Sequence, residues 1–169
     1  MGWEIRQATE SDISVISQIH AQTWKSAYKG IVPQRFLDGL RADTWVPAFK
    51  NWFELEVFKV ALLLEDADAV GCITYGASRD NDFPHWAEIV SLYVLPQVQG
   101  KGYGRLLMGT ALSQFKTRRF NHCFLWVLKD NLKARSFYER MGFSQCGEES
   151  EVVFVGQALA DLRYVCSLK

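Results

Sequence analysis

Three glycines at alternate positions near the middle of the chain constrain its fold more than any other feature. They are Gly100, Gly102 and Gly104. They lie between an apolar run at 89–95, which predicts a strand, and an amphipathic run that predicts a helix. Glycines leave the start of that helix bare, where backbone N–H groups have no partner within the helix. Such a helix start suits a phosphate or pyrophosphate group, and Lys101 and Arg105 add positive charge.

Two common phosphate-binding loops do not fit this segment. The dinucleotide fingerprint Gly-x-Gly-x-x-Gly fails because its last position falls on Arg105 or Leu107. The P-loop fails because Gly102, rather than Ser or Thr, follows Lys101. The spacing Gln-x-x-Gly-x-Gly does fit, with Gln99 as its first residue. An ordinary glycine-rich turn between a strand and a helix is the alternative interpretation.

A second motif follows within residues 124–143, which predict a strand, a turn and a short helix. Four apolar side chains recur at helical spacing and form one face of that helix. They are Ala134, Phe137, Tyr138 and Met141. Gly142 then lies where a helix commonly ends, and Asn131 lies in the turn before the helix begins.

Together the two motifs resemble those of the GCN5-related N-acetyltransferases (GNAT family). In that family the Gln-x-x-Gly-x-Gly loop holds the pyrophosphate of acetyl-CoA, an Asn follows the fifth strand, and a Tyr lies on the next helix. Asn131 and Tyr138 match these positions in order and distance. The resemblance extends over essentially the whole chain. It implies an α/β (α+β) GNAT fold in one domain, residues 1–169, with a single mixed, mostly antiparallel sheet of about seven strands flanked by helices.

The resemblance also implies acetyl-CoA as co-substrate, with no metal, and assigns coenzyme contacts residue by residue. The backbone of Leu92, Tyr93 and Val94 is expected to pair with pantetheine. The pyrophosphate loop corresponds to Gln99, Gly100, Lys101, Gly102, Tyr103, Gly104 and Arg105. Asn131 is expected to contact the pantetheine arm. The side chains of Lys101 and Arg105 either contact phosphates or remain in solvent.

The chemistry implied by the resemblance is direct transfer of an acetyl group from the thioester to an amine. A primary amine has a pKa of ~10.4, so it must lose a proton before it attacks. Tyr138 is the predicted general acid to the departing sulfur; the alternatives are a hydrogen bond to that sulfur without proton transfer, or packing alone. Glu88 is the first candidate for the general base, followed by His85 and by ordered water. His20 lies on an apolar helical stripe and reads as a core histidine.

The acceptor is predicted to be a small-molecule primary amine. The segment 23–40 contains a Trp-x-x-x-Tyr-x-Gly-x-x-Pro pattern, similar to one branch of bacterial family members and to some polyamine acetyltransferases. Trp24 and Tyr28 within it either line the acceptor pocket or belong to the core. Five acidic residues could attract a cationic amine or simply be solvated: Asp80, Asp82, Glu148, Glu149 and Glu151. Two alternatives stay open: a protein lysine or N-terminal acetyltransferase, and a non-catalytic acyl-CoA sensor or interaction module.

Composition limits the partners and the setting. Lys+Arg and Asp+Glu are both 19, so no basic excess predicts nucleic-acid binding. The apolar runs are too short to span a membrane, and no signal-peptide pattern is present, so we expect a cytoplasmic protein. Dimers are common in the family that the chain resembles, so the resemblance also allows a homodimer. None of the four cysteines forms a metal-ligand pair, and all are predicted to be buried structural thiols. They are Cys72, Cys123, Cys146 and Cys166.

The rest of the chain predicts further elements. A hairpin is expected at 58–65 and 69–77, and an apolar stripe marks the first helix at Ile13, Ile16, His20 and Trp24. Two short closing strands are expected near 143–149 and 162–168.

Overall fold

A computed structural model describes residues 2–169, which form one seven-stranded sheet and five α-helices. The strands are β1 Trp3–Gln7, β2 Lys59–Glu65, β3 Asp68–Ala77, β4 Ala87–Val94, β5 His122–Leu128, β6 Ser144–Phe154 and β7 Gln157–Ser167. The helices are α1 Ile13–Ala27, α2 Gln34–Asp38, α3 Val46–Glu54, α4 Tyr103–Thr117 and α5 Leu132–Arg140. This architecture confirms the predicted fold class.

The sheet is antiparallel except at its centre, where β4 and β5 run parallel. Its strand order is β1-β2-β3-β4-β5-β7-β6. β4 and β5 pair only at their first residues, through Ala87 with Cys123 and Glu88 with Phe124. The later halves of these two strands therefore separate, and a wedge-shaped gap opens between them in the middle of the sheet.

Two hairpins form part of the sheet, and one is longer than predicted. The β2/β3 turn places Asp66 and Ala67 at positive φ (50° and 78°), the geometry of the two-residue turns that best join twisted strands. The β6/β7 turn does the same with Val155 and Gly156. The predicted closing strands at 143–149 and 162–168 were too short, since pairing continues to this turn. Most side chains of β6 are exposed, so its apolar pattern is too weak to reveal the strand.

The core lies on both faces of the central strands. The predicted stripe of α1 is confirmed at Ile13, Ile16 and His20, which are buried against one face. On the other face α4 buries Leu107 and Phe115, both fully inaccessible to solvent. Each such side chain contributes roughly 1.5–3 kcal/mol of burial free energy. Helices α1 and α4 therefore hold the two opposite faces of the sheet near the β4/β5 gap.

A buried arginine ties the loop after β3 to the sheet. The Arg163 side chain on β7 is only 5% exposed. Its guanidinium lies 4.6–4.8 Å from three ring centroids, those of Phe83, Phe124 and Trp126. It forms ion pairs with Asp80 of the loop and with Glu148 of β6, the latter at 2.9 Å. Loop 79–86 is thereby held against β5, β6 and β7.

The four cysteines differ in their surroundings. Cys72 and Cys123 are buried, Cys166 is half-buried and Cys146 is exposed. The prediction of a buried thiol is therefore wrong for Cys146, because β6 is an edge strand whose side chains face solvent. Cys166 lies opposite Cys123 on the neighbouring strand. The neighbouring Cys123 thiol and the charge of Lys116 lower the pKa of Cys166.

Candidate coenzyme and acceptor site

The glycine loop begins where β4 separates from β5 and leads into α4. Gly100 and Gly102 have φ of +85° and +83°, a backbone conformation that glycine adopts without strain. A Cβ added at either residue would meet no atom within 4 Å, so the space around this backbone is open. No side chain of residues 2–169 caps the first turn of α4. Its N–H groups therefore remain free to bind an anion, as a pyrophosphate loop requires.

Gln99 connects the glycine loop to its neighbours. Its Nε2 donates to the carbonyl of Val94 at the end of β4 (3.0 Å), and its Oε1 accepts from Lys133 of α5 (2.9 Å). Both ends of the amide are thus engaged within the protein. Gln99 is in place to fix the shape of the loop.

The side chains of Lys101 and Tyr103 turn away from the loop's open space. Lys101 pairs with Glu65 of β2 (Nζ–Oε1 2.7 Å), and the Tyr103 hydroxyl donates to the same carboxylate. This hydrogen bond raises the pKa of Tyr103 to about 12. Of the two basic side chains expected near phosphate, only exposed Arg105 has no ion-pair partner among residues 2–169. The prediction of a phosphate contact by the Lys101 ammonium therefore loses its geometric support.

Asn131 caps helix α5. Its Oδ1 accepts from the Ala134 N–H (3.2 Å), which is the usual role of an asparagine at a helix start. The cap fixes the carboxamide at the end of β5, beside the β4/β5 gap. The Nδ2 group carries no hydrogen bond to any part of the described chain. It remains available as a donor to a ligand in the gap.

Three tyrosine side chains lie close enough to one another, beside the gap between β4 and β5, to affect each other's pKa. Tyr28 ends α1, Tyr93 lies on β4 and Tyr138 on α5; the Tyr28 and Tyr93 hydroxyls are 3.5 Å apart. Trp24 packs edge-on against Tyr28, with ring centroids 4.6 Å apart. Burial raises the pKa of Tyr138, and nearby Tyr28 raises it further. Burial likewise raises the pKa of Tyr93. These phenols keep their protons at neutral pH.

His20 is a satisfied core histidine, as the sequence suggested. Its Nδ1 lies 2.9 Å from the carbonyl of Ile16 and must donate, because a carbonyl only accepts. The other nitrogen, Nε2, therefore accepts from Ser91 Oγ at 3.3 Å. Burial lowers the pKa of His20 to about 4. The ring stays neutral at pH 7, and its weak basicity makes it a poor proton acceptor.

Glu88, the first candidate for the general base, is held by Arg79. Its carboxylate accepts from Arg79 Nη2 (2.6 Å), Nε (3.2 Å) and the backbone N–H (3.1 Å). The side chain is only 5% exposed. Three of the roughly four acceptor positions of this carboxylate are thus occupied, so little of it is left to receive a substrate amine. This geometry counts against the predicted role, while His85 lies exposed in the preceding loop.

Asp161 on β7 was not among the residues singled out from the sequence. It stands opposite Leu128 of β5 on one side and Ser150 of β6 on the other. Burial raises its pKa to about 6. Its charge is also close enough to raise the pKa of Tyr28. No side chain or backbone donor in residues 2–169 bonds its carboxylate. The sequence does not give the register of β7, so Asp161 could not be identified from the sequence alone.

Comparisons with known proteins settle the family. Residues 23–143 match the model of the acetyltransferase (GNAT) family. This chain is a GNAT-family N-acetyltransferase. Over 155 residues it is 24% identical to the spermidine N(1)-acetyltransferase of Thermoplasma acidophilum, covering 85% of this chain and 89% of that one. It is 25% identical over 127 residues to the uncharacterized N-acetyltransferase YuaI of Bacillus subtilis, covering 75% and 72%.

The fold comparison agrees. The structure of PaiA N-acetyltransferase from Thermoplasma acidophilum in complex with coenzyme A aligns with a TM-score of 0.78 at 20% identity, covering 99% of both chains. The family transfers acetyl groups from acetyl-CoA, and the open glycine backbone beside the β4/β5 gap fits that co-substrate. No helix within residues 2–169 is long and apolar enough to cross a membrane. Nor does this part of the chain gather three or more His, Cys, Asp or Glu side chains into a metal-binding group.

The acetyltransferase structure brings some predicted site residues together and separates others. Trp24, Tyr28, Tyr93 and Tyr138 share one cluster. The predicted acidic set does not form a free cluster. Asp80 and Glu148 pair with Arg163, and Glu149 pairs with Lys129 at 3.2 Å. Paired carboxylates on a partly exposed surface attract a distant cation weakly, because their charge is already balanced.

Proposed function

We propose that this acetyltransferase moves an acetyl group from acetyl-CoA directly to the primary amine of a small molecule, with Tyr138 as general acid. The observation that carries the proposal is the cluster of Tyr28, Tyr93 and Tyr138 at the point where β4 and β5 separate. A thioester lying in the gap places its sulfur near α5 and its carbonyl near β4. The acceptor then approaches from the α1 side of the sheet.

The donor is held mainly by backbone groups in this proposal. Leu92, Tyr93 and Val94 lie in the part of β4 that does not pair with β5, so their outer N–H and C=O groups face the gap. Pantetheine amides pair with them as an additional strand would. The pyrophosphate lies on the N–H groups of the loop that ends in Gly104. Asn131 contributes its Nδ2 from the opposite side.

The reaction needs three proton movements. The ammonium first loses one proton and becomes a neutral amine, whose lone pair attacks the thioester carbonyl. As the C–S bond breaks, the Tyr138 hydroxyl gives its proton to the sulfur, so coenzyme A leaves as the thiol. The tyrosinate then recovers a proton from the acetylated nitrogen. Because burial and Tyr28 raise the pKa of Tyr138, its proton is present at neutral pH when the sulfur needs it.

Aromatic ring contacts close the α1 side of the sheet, from which the acceptor would approach, and so favour a small acceptor. Phe154 near the tip of β6 contacts Phe36 of α2, with centroids 5.0 Å apart, and Trp24 of α1 at 5.9 Å. These ring contacts join the helices to the β6/β7 hairpin. A protein lysine or N-terminus would need an open groove along this side to admit a peptide. The ring contacts occupy this side and therefore favour a small acceptor.

A thiol-release screen against a library of amines tests the proposal. Turnover of a small amine is expected, and Tyr138→Phe should lower kcat by about 10²-fold or more, the usual contribution of a general acid. Tyr75→Phe is the matched control, since Tyr75 is also a buried tyrosine, packed against Phe115 of α4, and has no part in the proposed site. Both variants should keep the melting shift caused by acetyl-CoA. Coenzyme binding without thiol release from any amine would instead support a non-catalytic acyl-CoA sensor.

A further inference from the structure

Asp161 on β7 lies opposite Leu128, which packs in one apolar cluster with Trp24 and Tyr28. Its carboxylate has no assigned role, and its charge acts on Tyr28, whose hydroxyl is 3.5 Å from that of Tyr93. A carboxylate is therefore placed on the side of the site where Trp24 and Tyr28 are proposed to meet the acceptor. An amine bound there would have an anion beside it as it approached the thioester.

The surroundings of Asp161 leave its charge unbalanced. Its strand neighbours are the apolar Leu128 and the neutral Ser150. Arg163, two residues along β7 and on the same face, is committed to Asp80 and Glu148. Lys129 beyond β5 is committed to Glu149 of β6. Tyr28 is neutral at pH 7. A half-buried carboxylate with no donor among residues 2–169 is unusual, because burial without a partner costs free energy.

We propose that Asp161 receives the acceptor's ammonium group and takes its first proton. This inference rests on the proposed function and names the missing base in it. The proton passes from nitrogen to the carboxylate oxygen, which leaves a neutral amine to attack the thioester; Asp161 then releases this proton to solvent. Glu88 is held by three donors from Arg79, whereas Asp161 has none among residues 2–169, so the Asp161 oxygens are free to receive an ammonium group.

The same geometry narrows the class of acceptor. A substrate carboxylate beside the reacting amine would lie next to the Asp161 anion, and like charges at close range repel. Arg163 on the same face offsets little of this repulsion, because its single positive charge already faces two carboxylates, those of Asp80 and Glu148. The favoured acceptors are therefore alkyl amines and polyamines without an α-carboxylate. Free amino acids should be poor acceptors at this site.

Two pairs of amines that differ only in a carboxylate test this selectivity: 1,5-diaminopentane against lysine, and 1,4-diaminobutane against ornithine. The wild-type protein should use each diamine with a kcat/KM at least ten-fold above that of its amino acid. Its kcat/KM should also fall below a pH of about 6 as Asp161 takes a proton. Equal use of the two members of each pair would overturn the inference, and neither readout depends on a variant folding.

Asp161→Asn and Asp161→Glu complete the experiment. The asparagine variant should lose at least ten-fold in kcat/KM and lose the acidic limb of the pH profile, and glutamate should restore part of both. Asp38→Asn is the matched control, since Asp38 is exposed on nearby α2. An Asp161→Asn enzyme with wild-type kinetics refutes the role of Asp161 while leaving the proposed function intact. A wild-type protein that acetylates no amine refutes both.

Discussion

Replacing Gly102 by alanine is a direct test of how the coenzyme loop is built. Gly102 begins α4 with φ of +83°, and a new Cβ there would touch nothing within 4 Å. The new Cβ therefore clashes with no other residue, and the whole loss of stability comes from the backbone conformation. A left-handed conformation costs a residue with a Cβ roughly 1–2 kcal/mol. For a chain of this size that predicts a fall in Tm of about 2–8 °C.

The matched control lies on the same helix. Gly109 in α4 also has open space around a new Cβ, but its φ is not positive. Alanine at this position should stabilise the helix by about 0.5–1 kcal/mol, because glycine loses more conformational freedom on folding. Thermal and urea unfolding of the two variants should therefore shift in opposite directions. If Tm shifted in the same direction in both variants, the positive φ of Gly102 would not be what determines the loss of stability on its replacement by alanine.

Two further predictions concern charged residues away from the gap. The hydrogen bond and charge of Arg6 lower the pKa of Asp12 from an ordinary 3.8 to about 2. This carboxylate therefore stabilises the fold above pH 4 and loses that contribution as pH falls towards 2. Urea unfolding across this pH range should show the loss of stability, and Asp12→Asn should flatten the pH dependence. Arg163→Met should cost about 2–4 kcal/mol in urea unfolding, because it removes a buried cation from two carboxylates and three rings. Lys129→Met should cost less than about 1 kcal/mol, because Lys129 belongs to a half-exposed ion pair. Equal losses for these last two variants would contradict the distinction between buried and exposed pairs.

The parts of the site that the sequence could predict are those built from consecutive residues. The glycine loop, the turn at Asn131 and the helix that carries Tyr138 each depend on spacing within about twenty residues. Their elements and the fold class are confirmed. In each case the backbone conformation follows from local chemistry, such as a positive φ at Gly100 or a capping carboxamide.

The parts that could not be predicted depend on partners far apart in the chain. Glu88 reads as an unengaged carboxylate until the structure brings Arg79 to it. Lys101 reads either as a phosphate ligand or as a solvated side chain until β2 places Glu65 beside it. Asp161 becomes a candidate site residue only when the register of β7 places it opposite Leu128, near Tyr28. Charge pairing across strands decides these roles, and the linear pattern of polar residues carries no information on such pairing.

The separation of β4 from β5 also divides recognition of the two substrates along the chain. The elements proposed to hold acetyl-CoA form one continuous central block, from β4 at residue 87 to α5 at residue 140. The residues proposed to meet the acceptor come from both flanking segments, with Trp24 and Tyr28 before the block and Asp161 after it. Exchange of the flanks between related chains would thus change the amine that is accepted and leave the donor machinery intact. A fold arranged in this way can diversify its acceptors without rebuilding its chemistry.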